Sequence, residues 1–469
     1  MSSHSKSRAK PKRSRRRQER FLEKIHLDAA GIDVGSRSHW VAVPEDRDPH
    51  PVREFKSFTH PLLELADWLE ACGITTVAME STGVYWIPLF EILEDRGFEV
   101  LLVNALHIKG VPGRKTDVLD CQWIQQLHSF GLLRGSFRPT AEITAIRTLV
   151  RHRDQLVAAA ASYIQRMQKA LTLMNLQLHN VISNLTGATG MAILRDIAAG
   201  HTDPVELARH RDYRCKASQE EIAASLTGRY RNEHVFVLRQ EITLFDFHQE
   251  QIRLCDTQIE ARLRALEATV EPPAAGLPTA QRARRSPRRA HRNDPEFELR
   301  SPLYRLCGGV DLTQIPGIAP YNALKLISEI GLDMHRWPTA KHFVSWLTLS
   351  PNNKVSGGKL LSSKTQPSAN RAARLLCVAA MSVGRSDHEL GAFYRRLAVR
   401  IGKPKAITAT ARKIAILVYR ALKEGLLYAA QTANQYDEKQ RQQRLRALRK
   451  RAKSLGFSLV DQSTGLVME

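Results

Sequence analysis

Four acidic residues carry the most specific chemistry in this 469-residue chain. Asp33 interrupts the apolar run Ala29-Ala30-Gly31-Ile32-Asp33-Val34-Gly35, Glu80 directly follows Thr75-Thr76-Val77-Ala78-Met79, and Asp117 and Asp120 stand three residues apart. A carboxylate within a buried strand is strongly unfavourable unless it is neutral, paired or bound to a cation. Positions i and i+3 share a helix face, so Asp117 and Asp120 can point at one place. Four acids around a small volume repel one another unless divalent cations neutralise them. Hard oxygen ligands suit Mg2+ or Mn2+, and two such ions can clamp the attacking and leaving oxygens of a phosphodiester. Singly, each acid has a plainer role: Asp117 as a helix cap, Asp120 as a solvated acid, Glu80 as the start of a loop. Arg114 and Lys115, just before Asp117, either hold a substrate phosphate or merely offset the acids.

A second candidate lies far along the chain. In LSPNNKVSGGK, residues 349–359, Ser356 stands among glycines with Lys354 and Lys359 on either side. An exposed alcohol in positive surroundings suits attack on a phosphodiester, although composition alone reads as a turn. His107, His128 and His152 are isolated and read as structural.

The elements that must position the acids are legible from periodicity. Residues 27–43 read as two strands joined by a turn at Gly35-Ser36-Arg37-Ser38, with Asp33 buried in the first, and residues 52–58 read as a third strand. Helix 60–72, strand 75–79, helix 86–96, strand 98–103 and a helix from Thr116 follow, which describes a mixed α/β sheet. From Ile143 to Val181 apolar residues recur at alternating steps of three and four, broken only by Arg153, as in a long heptad helix. A looser stripe from Leu238 to Leu266 predicts either an antiparallel hairpin or a dimeric coiled coil. Residues 271–300 open rich in Pro, Ala and Arg and read as a linker. Helical periodicity then dominates at 320–330, 340–347, 369–384, 389–401 and 405–430. The expected divisions are a basic arm 1–26, a catalytic domain 27–138, a coiled-coil region 139–270, a linker 271–300, a helical serine-containing domain 301–433 and a basic tail 434–469.

The formal charge is +23, and its placement narrows the function. Residues 1–20, 281–292 and 436–453 carry +8, +6 and +6, leaving the rest nearly neutral. Three such segments suit sequence-independent contact with a phosphate backbone. Six scattered cysteines without a C-x-x-C pair argue against a zinc site or disulfide framework, and no apolar run reaches spanning length. A cytoplasmic protein with no membrane partner is expected.

Asp33 in GIDVG, Glu80 in AMESTGVYW and Asp117 with Asp120 in KTDVLD resemble the Asp-Glu-Asp-Asp set of the insertion sequence 110 family of transposases, especially its 1111 subgroup. The resemblance extends through GHTDPVELA and the C-terminal domain. It implies an RNase H-like, RuvC-like α/β domain, a long coiled-coil insertion and a mainly α C-terminal domain. It makes Ser356 the nucleophile, with Ser362 and Ser363 as nearby rivals, and sets Asn370 and Arg374 on the family's Asn and Arg pattern, Ala369 replacing a common Gly. It further implies donor and target DNA, a noncoding guide RNA, and a homo-oligomer, dimer or tetramer, joined through the coiled coil. Ile315-Pro316-Gly317-Ile318 before a helix resembles a helix-hairpin-helix turn, with a plain helical turn as the alternative. A metal-dependent junction resolvase without a serine intermediate and a noncatalytic nucleic-acid scaffold are the competing functions.

Overall fold

The computed structural model describes residues 23–104, 117–273, 276–278, 293–425, 433–458 and 460. The chain divides into two compact units between Arg138 and Pro139.

The first unit is built on a five-stranded sheet: β1 (Ala29–Val34), β2 (Ser38–Ala42), β3 (Val52–Lys56), β4 (Thr76–Glu80) and β5 (Glu99–Val103). Its order is β3-β2-β1-β4-β5. The first three strands run antiparallel as a meander, since the turn after β1 closes with Gly35 N–H donating to Ser38 O at 3.1 Å. β1, β4 and β5 are mutually parallel neighbours, so each connection must cross over the sheet. Helices α1 (Thr59–Ala71) and α2 (Trp86–Asp95) make those crossovers. α1 forms because Leu62, Leu65, Ala66 and Leu69 repeat at helical spacing, and it stops where Gly73 turns left-handed at φ +66°.

Strand alternation sorts the two faces of the sheet. Ala30, Ile32, Val34, Val77 and Met79 join Leu65, Leu69, Leu89 and Leu93 in the main core. Ala78 and Val103 point the other way and meet Ile124 of α3 (Asp117–Ser129). Gly31 lets α3 come that close: a Cβ there would lie 2.2 Å from Gln125 N and 2.5 Å from Cys121 O.

In the second unit, α4 (Ala141–Leu173) and α9 (Asn232–Glu267) pack along each other. They run antiparallel: Arg153 pairs with Asp256, and thirteen residues on Arg166 meets Glu241 at 3.8 Å. The heptad stripe is therefore satisfied within the chain. The helix expected over 143–181 ends earlier, at Leu173, because Asn175 adopts φ +58°. Met174 and Leu178 still bury completely, in a cap made of α5 (Leu178–Val181), α6 (Ala188–Ala199), α7 (Pro204–Ala208) and α8 (Gln219–Ser225). Local signals start two of these helices. Asp203 accepts from Val205 N at 2.8 Å, and Ser218 with Glu221 forms a reciprocal capping box.

Arg153, the one break in the stripe, is buried. Its guanidinium pairs with Asp256, donates to Asn293 O at 2.8 Å and stands 4.7 Å over the Tyr321 ring. Next to it Asp154 accepts from the Tyr321 hydroxyl at 3.0 Å and pairs with Lys325 at 2.6 Å, while Arg151 grips Glu329 in two bonds of 2.8 and 2.6 Å. These contacts fasten α11 (Pro320–Ile330), which follows α10 (Arg300–Leu306), to α4.

The remaining helices are α12 (Ala340–Trp346), α13 (Arg371–Val383), α14 (Glu389–Ile401), α15 (Lys403–Glu424) and α16 (Ala433–Ser454). Gly317, in the turn before α11, has φ +92°, and a Cβ there would stand 2.8 Å from Ala379 O. That glycine thus serves packing against α13. One departure from helix stands out: residues 354–362 form a hairpin, β6 (Lys354–Ser356) and β7 (Lys359–Ser362). All six cysteines are free thiols, and no described helix is long and apolar enough to cross a membrane.

Candidate active site

Asp33 and Glu80 sit at the carboxyl ends of β1 and β4, the two central parallel strands. Ile32 pairs with Met79, so Asp33 and Glu80 are the next positions in register. Both lie on the α3 side of the sheet, because Gly31 and Ala78, two residues earlier on each strand, face α3. Glu80 is the last residue of β4 rather than the start of a loop. It is 9% exposed, and its Oε1 accepts from Thr82 Oγ1 at 2.8 Å. Asp33 is half-buried instead of sealed in the core.

α3 supplies the remaining acids. Asp117 opens the helix, and Asp120 is half-buried one turn on. Cys121 reports how near the groups are to one another. Burial pushes its thiol up to about 12, and the negative charges of Asp33 and Asp120 add to the shift. Asp33 and Asp120 thus both lie near Cys121, and Glu80 stands beside Asp33 on the neighbouring strand. The Asp117 side chain, Arg114 and Lys115 lie outside the described residues, as does His107. Among the described residues no three His, Cys, Asp or Glu side chains stand close enough to form a metal cage. The donors present, hard carboxylates from two strands and a helix, fit a hard divalent cation by type.

Sequence reasoning misses the residues that hold this arrangement. Gly31 sets the helix-to-sheet distance, Thr82 orients Glu80, and Gln125 donates to Ala29 O at 3.2 Å and so ties α3 to β1. Only Gly31 leaves a sequence signal, as a glycine inside a strand pattern. His128 is structural, as expected: its Nε2 bonds Thr76 Oγ1 at 2.9 Å, and His26 stacks on its ring at 5.0 Å. His152 is exposed.

In the second unit, Ser356 is the last residue of β6 and faces Lys359 across the strand pair. Gly357 and Gly358 make the intervening turn with φ +55° and +75°, the two positive values that a tight hairpin turn demands. Ser356, Lys354 and Lys359 are all exposed. Asn370 plays a structural part, since its Oδ1 accepts from Ala373 N at 3.1 Å and caps α13. Arg374 is exposed and, with Arg371, lines a cleft of about 330 Å³ whose other wall includes Arg151 and Lys325.

Residues 30–176 match the IS110 DEDD transposase model, and residues 311–395 match the model described as Transposase IS116/IS110/IS902 family. The chain is a DNA transposase. No curated protein matches it. The four acids of this enzyme all fall within the first matched segment, and Lys354, Ser356, Lys359, Asn370 and Arg374 within the second. The DEDD type of the first domain implies dependence on a divalent metal.

Proposed function

We infer that this transposase cuts and rejoins DNA through a serine nucleophile assisted by divalent metal. The observation that carries the reading is the register of Asp33 and Glu80 on neighbouring parallel strands, with Asp33 and Asp120 of α3 both near Cys121. The strand order β3-β2-β1-β4-β5 supports an RNase H-like, RuvC-like assignment for this unit. Asp33, Glu80, Asp117 and Asp120 would hold Mg2+ or Mn2+. The ion would polarise the scissile phosphate and stabilise charge on its oxygens. Ser356 Oγ attacks phosphorus, loses its proton and releases a DNA hydroxyl, leaving a phosphoserine ester. A second DNA hydroxyl then displaces the serine and restores a continuous strand. Lys354, Lys359, Arg114, Lys115, Asn370 and Arg374 would hold backbone phosphates.

Guide RNA and oligomer belong to the same reading. The basic segments suit donor DNA, target DNA and RNA alike, and leave sequence choice to base pairing. Val237, Leu244, Phe247 and Leu254 form an exposed apolar stripe on α9 at coiled-coil spacing, which supports joining of protomers there into a dimer or tetramer.

One observation favours a second reading. Among the described residues no side chain is seen to hydrogen-bond the exposed Ser356 Oγ. A metal-dependent junction resolvase would use the acids alone. Trapping denatured protein–DNA adducts in Mg2+ separates the two. The wild type is expected to yield an adduct that maps to Ser356, and Ser356→Ala to yield none. A Ser356→Ala protein that cleaves and rejoins at the wild-type rate would falsify the nucleophile. RNA sequenced from the same purified protein tests the guide, which fails if no discrete species co-purifies.

A further inference from the structure

The hairpin that carries Ser356 has two faces of opposite chemistry. Directly opposed residues of an antiparallel pair share a face, so Val355 and Leu360 stand together on one side and Ser356 and Lys359 on the other. The register steps past Leu361, an extra residue of the kind that bends a strand and re-aims its side chain. Val355, Leu360 and Leu361 are 60%, 58% and 68% exposed, so no described side chain covers the apolar face. The shape is nonetheless fixed locally. Gly357 and Gly358 take the left-handed conformation that the turn needs, and Asn352 N–H donates to Lys364 O at 3.0 Å across the base of the hairpin. Residues 334–386, which include the hairpin, hold eight Lys and Arg and no Asp or Glu. Of these, Lys354, Lys359 and Lys364 lie on or beside the hairpin, and all three are exposed.

We propose that this hairpin is a pin that parts one base step of the DNA beside the phosphodiester that Ser356 attacks. An opened step offers the same two chemistries as the hairpin, a bare apolar base plane and an anionic backbone. Val355 and Leu360 fill the gap left by unstacking, as aliphatic wedges do in kinked duplexes. On the other face Lys359 holds a phosphate next to Ser356. Charge selects nucleic acid over a protein surface, because the apolar pair is set among lysines in an acid-free stretch of sequence. Spacing agrees with the assignment. Val355 and Ser356 are successive residues about 3.4 Å apart along the strand, and stacked base pairs rise by about 3.4 Å, so one hairpin reaches a phosphate and the step next to it. The location of that step rests on the reading of Ser356 as nucleophile.

The test uses the full chain and a short duplex of unrelated sequence in which a fluorescent adenine analogue, brighter when unstacked, replaces the adenines of one strand. A second duplex carries a central mismatch, where the step is already loosened. Wild-type protein is expected to raise the emission and to bind the mismatched duplex about tenfold more tightly than the intact one, since unstacking is already part-paid there. Val355→Thr with Leu360→Thr keeps strand-forming side chains and loses both effects, while the salt dependence of binding stays at the wild-type slope. Val355→Ile with Leu360→Met keeps the apolar face and both effects. Emission that does not rise with wild type, or a threonine pair that behaves as wild type, overturns the pin. An isoleucine and methionine pair that loses as much as the threonine pair overturns the apolar account. A threonine pair that changes the oligomeric state in sedimentation but not the emission assigns the face to a second copy of this chain and overturns the DNA assignment. Ser356→Ala is expected to keep the emission rise while yielding no covalent adduct, so a failure of the pin and a failure of the serine reading are told apart.

Discussion

Arg153 and Asp256 form an ion pair across α4 and α9 with side-chain exposures of only 2% and 8%. The pair is two-pronged, and its second bond, Arg153 Nη2 to Asp256 Oδ2, measures 3.1 Å. Burial alone would lower the pKa of Arg153, but Asp256 and Tyr321 more than offset this and the guanidinium is held charged. A charge that deep is tolerated because every face of it is met: carboxylate, Asn293 carbonyl and Tyr321 ring.

Removing one partner leaves the other buried and uncompensated. Arg153→Ala is expected to destabilise the second unit by about 3–5 kcal/mol. Replacing both with apolar residues of similar volume, Arg153→Met with Asp256→Leu, should recover most of that loss. Hydrogen exchange of α4 and α9 amides in urea measures both. If the single variant is as protected as the wild type, the pair is not what closes the two helices.

The same residue marks where sequence reading stops. The heptad stripe makes α4 visible, because its signal lies within the helix itself. Arg153 registers only as a defect, since its partner is 103 residues away. The end of α4 escapes for a related reason: Met174 and Leu178 are as apolar and buried as a continuing helix demands, yet the backbone turns at Asn175. Asp33 and Glu80 are legible because one interrupts and the other ends an apolar run, whereas their adjacency depends on strand register. The hairpin at Ser356 carries a local signal in Gly357-Gly358 between Lys354-Val355-Ser356 and Lys359-Leu360. Strong helical periodicity on either side masks it.

Gly31 controls the distance between the strand acid and the helix acid. A methyl group there would stand 2.2 Å from a backbone nitrogen and 2.5 Å from a backbone oxygen of α3, neither of which a side-chain rotation can move. Gly31→Ala should therefore push α3 off β1, at about 1–3 kcal/mol or more. Displacing catalytic groups by an ångström costs about a hundredfold in rate. Strand cleavage and the melting of the first unit should fall together. Gly276→Ala, which meets open space, serves as the control and should change neither. Full cleavage activity in Gly31→Ala would mean that Asp120 and Asp33 need not act in concert.

Asn370 separates capping from DNA contact. Its side chain satisfies the Ala373 N–H, so Asn370→Ala should cost about 1 kcal/mol in the stability of the second unit. Asn370→Asp keeps an equally good cap but sets a negative charge beside Arg371 and Arg374. Stability of that variant is expected to stay within a few tenths of a kcal/mol of wild type, with DNA binding measurably weaker. Unchanged binding with Asp would confine Asn370 to its helix.

His128 gives the first unit a defined response to acid. Burial first, and the nearby His26 second, lower its pKa to about 4. The folded form therefore refuses a proton that the unfolded chain accepts near pH 6.5. Stability from this group is complete above about pH 6.5 and drains away as pH falls toward about 4, since only the unfolded state binds the proton in that window. Between about pH 7 and pH 5 the loss amounts to about 2 kcal/mol. Exchange of β4 and α3 amides, which flank the Thr76–His128 bond, should show it. In His128→Gln, whose amide can still reach the Thr76 hydroxyl, that slope should flatten while the more general acid sensitivity remains. An identical slope in the variant would place the titration elsewhere in the sheet.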